Sequence, residues 1–140
     1  MKFWPLLCVA VFALTGCFGM YGTGPYLIPG SLTSPFDDVK VIAQGYEIEV
    51  FIRDKDRDLQ ELQVIEASIT DKKGTRNVAL KPVFLKPHEA SFSYASMPTP
   101  PFQVPFKLHM VMTLKSEQLT IEGSYSGRLQ GSFVSWKELE

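Results

Sequence analysis

The sequence predicts an all-β fold, a single antiparallel β-sandwich of about seven strands. Between about residues 38 and 136, apolar residues alternate with polar ones over short segments, which is the period-two pattern of half-buried strands. Turn-forming residues recur about every 8–12 positions, as they do in sandwiches. No segment shows a convincing 3.6-residue apolar period, so no long helix is predicted.

The first strands are predicted over residues 39–43 and 46–53, on either side of Gly45. A charged corner over residues 54–58 follows and leads into a strand over residues 62–70. The inward face of that strand is expected to carry Ile65, Ala67 and Ile69.

Asp71-Lys-Lys-Gly74 predicts a hairpin turn, since glycine adopts the positive φ that such turns need. The partner strand is predicted over residues 78–84. Pro82 lacks the N–H that a sheet ladder requires, so this strand should lie at an edge or end early. A short strand is then predicted over residues 89–94.

A proline-rich loop over residues 97–102 precedes the clearest alternation in the chain, from Phe102 to Leu114. Pro105 indicates a bulge or an edge near the start of that strand. Two further strands are predicted, over residues 119–126 and from Arg128 to about Trp136.

The N-terminal segment has the composition of an export signal. Lys2 supplies a positive start, and the apolar stretch from Phe3 to Leu14 is too short for a membrane-spanning helix of about 20 residues. The stretch ends in Leu14-Thr15-Gly16-Cys17, which resembles the lipobox of bacterial lipoproteins. The alternatives are an ordinary cleaved secretory signal and an uncleaved N-terminal anchor.

The lipobox resemblance implies a diacylglycerol on the Cys17 thiol and removal of residues 1–16. Residues 17–36 would then form a lipidated tether, and residues 37–140 would form the β-sandwich domain. Phe18 stands where an aspartate would retain a Gram-negative lipoprotein in the inner membrane. The resemblance therefore implies an exported protein on the periplasmic or surface face of the outer membrane, if the source is Gram-negative.

The predicted tether is rich in glycine and proline but is not purely polar. Four glycines and three prolines lie within residues 18–36, which excludes a helix there. Tyr26 to Ile28 and Phe36 are large and apolar, and we expect them to pack on the domain.

Composition excludes several classes of function. The chain has 14 Lys and Arg against 15 Asp and Glu, so no basic excess indicates a nucleic-acid partner. Of its two cysteines, Cys8 would leave with the signal and Cys17 would carry the lipid. The folded part would then hold no thiol, as in exported proteins that avoid free cysteine.

A second resemblance covers about 30 residues. Tyr46 to Val64 supplies a strand, an Asp-x-Asp-x-Asp-Leu corner and a second strand, and Ile69 to Gly74 supplies an Asp-x-x-Gly hairpin. This succession resembles bacterial immunoglobulin-like and cadherin-like repeats, and it implies an Ig-like sandwich. It assigns no function, because that architecture hosts many.

Three aspartates of the charged corner are candidate metal ligands: Asp54, Asp56 and Asp58. Carboxylates at alternate positions can converge on Ca²⁺, which takes six to eight oxygen ligands. The stretch lacks the glycine and glutamate of an EF-hand loop. The alternative is a solvated corner in which the aspartates accept hydrogen bonds from turn amides, and we expect calcium to leave the fold unchanged.

The proline loop is a candidate binding surface, because rigid aromatic surfaces make good contact patches. Its candidate residues are Pro98, Pro100, Pro101 and Phe102. The alternative is a rigid loop whose aromatic side chains belong to the core. The two histidines, His88 and His109, occupy polar positions, and no catalytic residue is predicted.

These features predict a non-catalytic envelope lipoprotein that binds, scaffolds or assembles an envelope protein partner. No cofactor is predicted beyond the covalent lipid, although Ca²⁺ would suit the aspartate corner. A calcium-stabilised adhesion module is one alternative. An envelope hydrolase or inhibitor is another, and it would need a polar cleft lined by His88, Glu89 or His109.

Overall fold

The computed structural model of the protein describes residues 26–44, 47–95 and 103–130. Within those ranges the chain forms nine β-strands. The strands are β1 (Tyr26–Thr33), β2 (Asp38–Gln44), β3 (Glu47–Arg53), β4 (Gln63–Asp71), β5 (Gly74–Asn77), β6 (Lys81–Leu85), β7 (Glu89–Ala95), β8 (Phe106–Leu114) and β9 (Glu117–Gln130). The described residues include no helix with the length and apolar character that crossing a bilayer requires.

The strands form two sheets in which all neighbours run antiparallel. One sheet has the order β2-β3-β7-β6, and the other has the order β1-β9-β8-β4-β5. The predicted all-β antiparallel sandwich is confirmed, with nine strands in the described part of the chain rather than about seven.

A single apolar core lies between the sheets, and β8 shows how the sequence builds it. Its inward positions carry Phe106, Leu108, Met110, Met112 and Leu114, all of them buried. Ile48, Val50 and Ile52 of β3 join the same cluster from the opposite sheet. Burying each such side chain contributes about 1.5–3 kcal/mol, so this period-two pattern determines which face of each strand turns inward.

The sandwich begins earlier than the sequence predicts, because β1 lies within the segment that was assigned to the tether. Pro29 is accommodated because β1 is an edge strand, with register shifts against β9 on both sides of that residue. Of the apolar residues expected to pack on the domain, Leu27 and Phe36 are buried, whereas Tyr26 and Ile28 are half-buried.

The predicted return strand over residues 78–84 is divided between the two sheets. β5 pairs with β4 across the predicted turn, where Gly74 has a φ of 111°. Val78 and Leu80 are then buried as the chain crosses to β6 in the other sheet. β6 lies at an edge, as Pro82 indicates. Further along, β9 continues from Glu117 to Gln130 across the predicted break near Gly127, and the rest of the predicted last strand lies outside the described residues.

The predicted inward position of Ile65 is wrong. Ala67 and Ile69 are buried, but Ile65 is 61% exposed. A register shift between Val64 and Glu66 interrupts the pairing of β4 with β8. An extra residue at such a bulge reverses the side of the sheet toward which the preceding side chains point, so Ile65 points to solvent.

The two ends of the sandwich hold different connections. The lower end holds the start of β1, the β4–β5 turn, the start of β8 and the end of β9, because Tyr26 pairs with Gln130 and Thr70 with Lys107. The upper end holds the β1–β2, β3–β4, β6–β7 and β8–β9 connections. The chain therefore enters β1 and leaves β9 at the same, lower end.

Gly123 on β9 makes room for a buried ring, which gives a test of the packing. A Cβ at this position would lie 2.8 Å from Cε2 and 2.9 Å from the hydroxyl of Tyr125. We expect Gly123→Ala to lower the free energy of unfolding by about 1–3 kcal/mol, as overpacking does. Urea denaturation measures the change.

The matched control is Gly30→Ala, where the nearest atom is the Ser124 hydroxyl oxygen at 3.3 Å on an exposed surface. A shift of a few tenths of an ångström relieves this contact, so the cost should be smaller than at Gly123. Equal costs for the two variants would contradict the packing described for Tyr125.

Candidate functional site

The charged corner between β3 and β4 is organised around one buried carboxylate, that of Asp54. Its side chain is 1% exposed. Oδ1 accepts hydrogen bonds from the backbone N–H groups of Asp56 (2.9 Å) and Arg57 (3.1 Å). Oδ2 accepts one from Arg57 Nη1 at 2.9 Å. The carboxylate is thus satisfied by its own turn, as buried charges generally are.

Arg57 connects this corner to the rest of the upper end. The same Nη1 donates to the carbonyl of Pro35 at 3.0 Å, and Nη2 lies 3.5 Å from Glu117 Oε1. The hydrogen bond to Asp54 raises the pKa of the guanidinium above its ordinary value. The arginine therefore stays charged and links three separate connections of the upper end.

His88 fixes the corner from the other side. Its Nδ1 lies 3.0 Å from the carbonyl oxygens of both Asp54 and Arg57. Carbonyl oxygens only accept, so Nδ1 carries the proton and donates. Two backbone hydrogen bonds reinforce the contact, from Asp54 N–H to the His88 carbonyl and from Leu59 N–H to the Pro87 carbonyl. His88 thus has a structural role in holding the corner.

The structure brings together only two of the three predicted metal ligands. Oxygen atoms of Asp54, Asp56 and Asp37 lie within 4.8 Å of one another. Asp58 is not part of this group and accepts a hydrogen bond from the backbone N–H of Gln60. Asp37 Oδ2 accepts one from the N–H of Lys55 at 2.8 Å. Asp37 was not predicted, because it precedes the corner and comes close only through folding.

The side chains that a hydrolytic cleft would need each contact a different group of the sandwich. His109 lies on the outer face of β8, with Nδ1 3.0 Å from Glu122 Oε1. Glu89 lies 3.4 Å from Arg53 on neighbouring strands of the other sheet. The described contacts of His88, Glu89 and His109 thus join each residue to a different partner.

A second well-built carboxylate, that of Asp71, closes the β4–β5 turn at the lower end. Its side chain is fully withdrawn from solvent. Arg76 binds both oxygens, through Nη1 (3.1 Å) and Nη2 (2.9 Å), and the N–H groups of Lys73 and Gln103 each donate at 2.8 Å. The Arg76 hydrogen bonds hold the pKa of the Asp71 carboxyl well below its ordinary value.

An apolar cavity of about 440 Å³ opens beside this turn at the lower end. Its lining includes Pro105, Phe106 and Tyr125, and the rings of Phe106 and Tyr125 stack with centroids 5.2 Å apart. Burial raises the pKa of Tyr125 to about 12. Two lysines also border the cavity, Lys72 on the turn and Lys107 on β8. No local sequence pattern predicts this site, because its residues come from four separate segments of the chain.

A pair of carboxylates on β3 also lies at the lower end. Burial and the neighbouring charge of Glu47 raise the pKa of Glu49 to about 7. The pair therefore carries less than its full negative charge near neutral pH.

The remaining predicted site residues lie outside the described residues. They are the lipidation residue Cys17 and the proline-loop residues Pro98, Pro100, Pro101 and Phe102. No family model, curated protein or solved structure matches this chain. Its function is therefore argued from its own residues.

The saturated Asp54 carboxylate predicts that calcium does not stabilise the fold. The melting temperature should be the same in millimolar Ca²⁺ and in chelator, because both oxygens of the Asp54 carboxylate already accept hydrogen bonds from turn amides and Arg57. Asp54→Asn should lower it equally in both conditions. A rise of several degrees with Ca²⁺ that Asp54→Asn abolishes would instead establish a calcium site.

The lowered pKa of Asp71 predicts a loss of stability in acid. The ordinary value is 3.8, so the folded state holds this proton less tightly than the unfolded state, and the stabilisation is full above pH 4 and declines below it. Asp71→Asn should cost about 1–3 kcal/mol at pH 7 and less at pH 3, measured by urea denaturation. A cost that is the same at both pH values would contradict the ion pair's role.

Proposed function

We propose that the protein is an exported lipoprotein whose Ig-like sandwich is anchored by a lipid on Cys17 and binds or assembles an envelope partner without catalysis. The observation that carries the proposal is Leu14-Thr15-Gly16-Cys17 at the end of a short apolar stretch with a positive start. The two alternative interpretations, an ordinary signal and an uncleaved anchor, leave that cysteine without a role.

The lipid would suffice to hold the domain at a membrane. Each acyl CH₂ that enters the bilayer contributes about 0.8 kcal/mol, and two or more chains give stable attachment without insertion of the protein. Phe18 after the cysteine favours the outer membrane in a Gram-negative source.

The anchor would determine how the sandwich faces the membrane. Eight residues separate Cys17 from Tyr26, and they span at most about 30 Å when fully extended. The lower end, where β1 begins, is therefore held close to the bilayer. The upper end lies about the length of β8 farther away, roughly 30 Å for its nine residues.

The upper end is the surface that this arrangement offers to a partner. Asp54, Arg57 and His88 hold three of its connections in one geometry through charged and backbone hydrogen bonds. A surface that is already ordered loses little conformational entropy on binding. A scaffolding or assembly role is consistent with such a surface.

The anchor is tested by replacing its thiol. Cys17→Ala should move the protein from the membrane fraction to the soluble fraction and abolish its labelling by radioactive palmitate. Cys8→Ala is the matched control, because it removes the other cysteine of the chain from within the predicted signal. That variant should stay lipidated and membrane-bound.

Retention of Cys17→Ala in the membrane would refute the lipid anchor. Mass spectrometry of the purified native protein adds a second readout. It should find residues 1–16 absent and an acylated Cys17, and an intact unacylated leader would support the uncleaved-anchor alternative.

A further inference from the structure

The lower end of the five-stranded sheet carries exposed positive charge that no described group neutralises. Lys72 and Lys73 lie in the β4–β5 turn, and Lys107 lies one residue into β8. All three are exposed, and none of their ammonium groups forms an ion pair with a described residue. The nearby carboxylate of Asp71 is already bound on both oxygens by Arg76.

The cavity beside these lysines combines an apolar wall with hydroxyl groups. Exposed Pro105 contributes to the apolar wall, and Thr70, Ser124 and Ser126 also line the cavity, whereas Phe106 and Tyr125 are each only 2% exposed. Its volume of about 440 Å³ lies within the range of about 300–1,000 Å³ that small-molecule sites occupy. A ligand that suits it has an anionic group for the lysines and an apolar part for the wall at Pro105.

Charge is unevenly distributed along the sandwich. The upper end carries an excess of carboxylates on its connections: Asp37, Asp54, Asp56, Asp58, Glu61 and Glu117. The lower end carries Lys72, Lys73 and Lys107, which form no ion pair with a described residue. The raised pKa of Glu49 reduces the negative charge there. The sandwich therefore presents its basic end in the direction from which β1 enters.

We propose that this cavity binds the headgroup of an anionic phospholipid in the membrane that carries the anchor. Lys72 and Lys107 contact the phosphate, and the glycerol and first methylenes pack against the exposed wall at Pro105. The choice of a membrane lipid rests on the proposed function, because an anchored domain keeps its lower end within about 30 Å of the bilayer. The contact would orient the sandwich with its upper end outward.

The test measures binding without the anchor. The Cys17→Ala chain is mixed with vesicles of phosphatidylcholine alone or of phosphatidylcholine with phosphatidylglycerol, and bound protein is measured by sedimentation. We expect selective binding to the anionic vesicles. Lys72→Glu/Lys107→Glu in the same chain should reduce that binding about ten-fold or more. Each basic residue near an anionic surface contributes substantially to the electrostatic attraction that holds the protein there.

The matched control is Lys86→Glu/Lys115→Glu, which makes the same change in net charge at the upper end. It should retain anionic-vesicle binding. All four positions are exposed, and equal melting temperatures would establish that each variant folds. Equal losses in the two double variants would show a non-specific charge effect and overturn the site.

Two further outcomes would also overturn the proposal. Equal binding to neutral and anionic vesicles would exclude a headgroup site. Displacement from anionic vesicles by low-millimolar inorganic phosphate, but not by equal ionic strength of chloride, would assign the cavity to free phosphate. Neither outcome bears on the Cys17 anchor, which fractionation of Cys17→Ala tests separately.

Discussion

The buried carboxylate of Asp54 constrains the point where the chain leaves one sheet for the other. Between β3 and β4 the backbone must reverse and cross the core, and a buried charge there is tolerated only with full hydrogen bonding. Two turn amides and Arg57 supply it, and His88 binds the carbonyls on either side. Removing the carboxylate would leave the two turn amides without their acceptor and Arg57 without its buried partner, so the upper end depends on this one group.

The strands that the sequence predicted best are those with one buried and one polar face. In β8 each alternate side chain is apolar, and a one-residue slip would expose them all, so pattern and structure agree. The alternation of apolar and polar residues predicts the structure wrongly where a bulge or a crossing between the sheets interrupts the strand. Ile65 faces outward because of a bulge, and residues 78–80 are apolar because they cross the core rather than because they extend a strand. β1 was not predicted, because Pro29 and its neighbours are typical of a linker. An edge strand nevertheless accommodates them.

The candidate sites, like the strands, could be predicted only where the residues involved are close together in the sequence. The spacing of Asp54, Asp56 and Asp58 revealed the corner, because alternate acids in a turn are a local signal. Asp37 joins the group from before β2, and no local pattern predicts that approach. Likewise Lys72 and Lys107 border one cavity although 35 positions separate them in the chain. Only the pairing of β4 with β8 brings them together.

The antiparallel pairing of β1 with β9 has a mechanical consequence for an anchored chain. Tension from a lipid on Cys17 would act on Tyr26 along the axis of β1, away from the upper end. β1 would have to slide lengthwise against β9, so its ladder hydrogen bonds would be loaded simultaneously in shear rather than opened one after another. A partner that pulls on the upper end would therefore meet resistance from the whole length of the first strand.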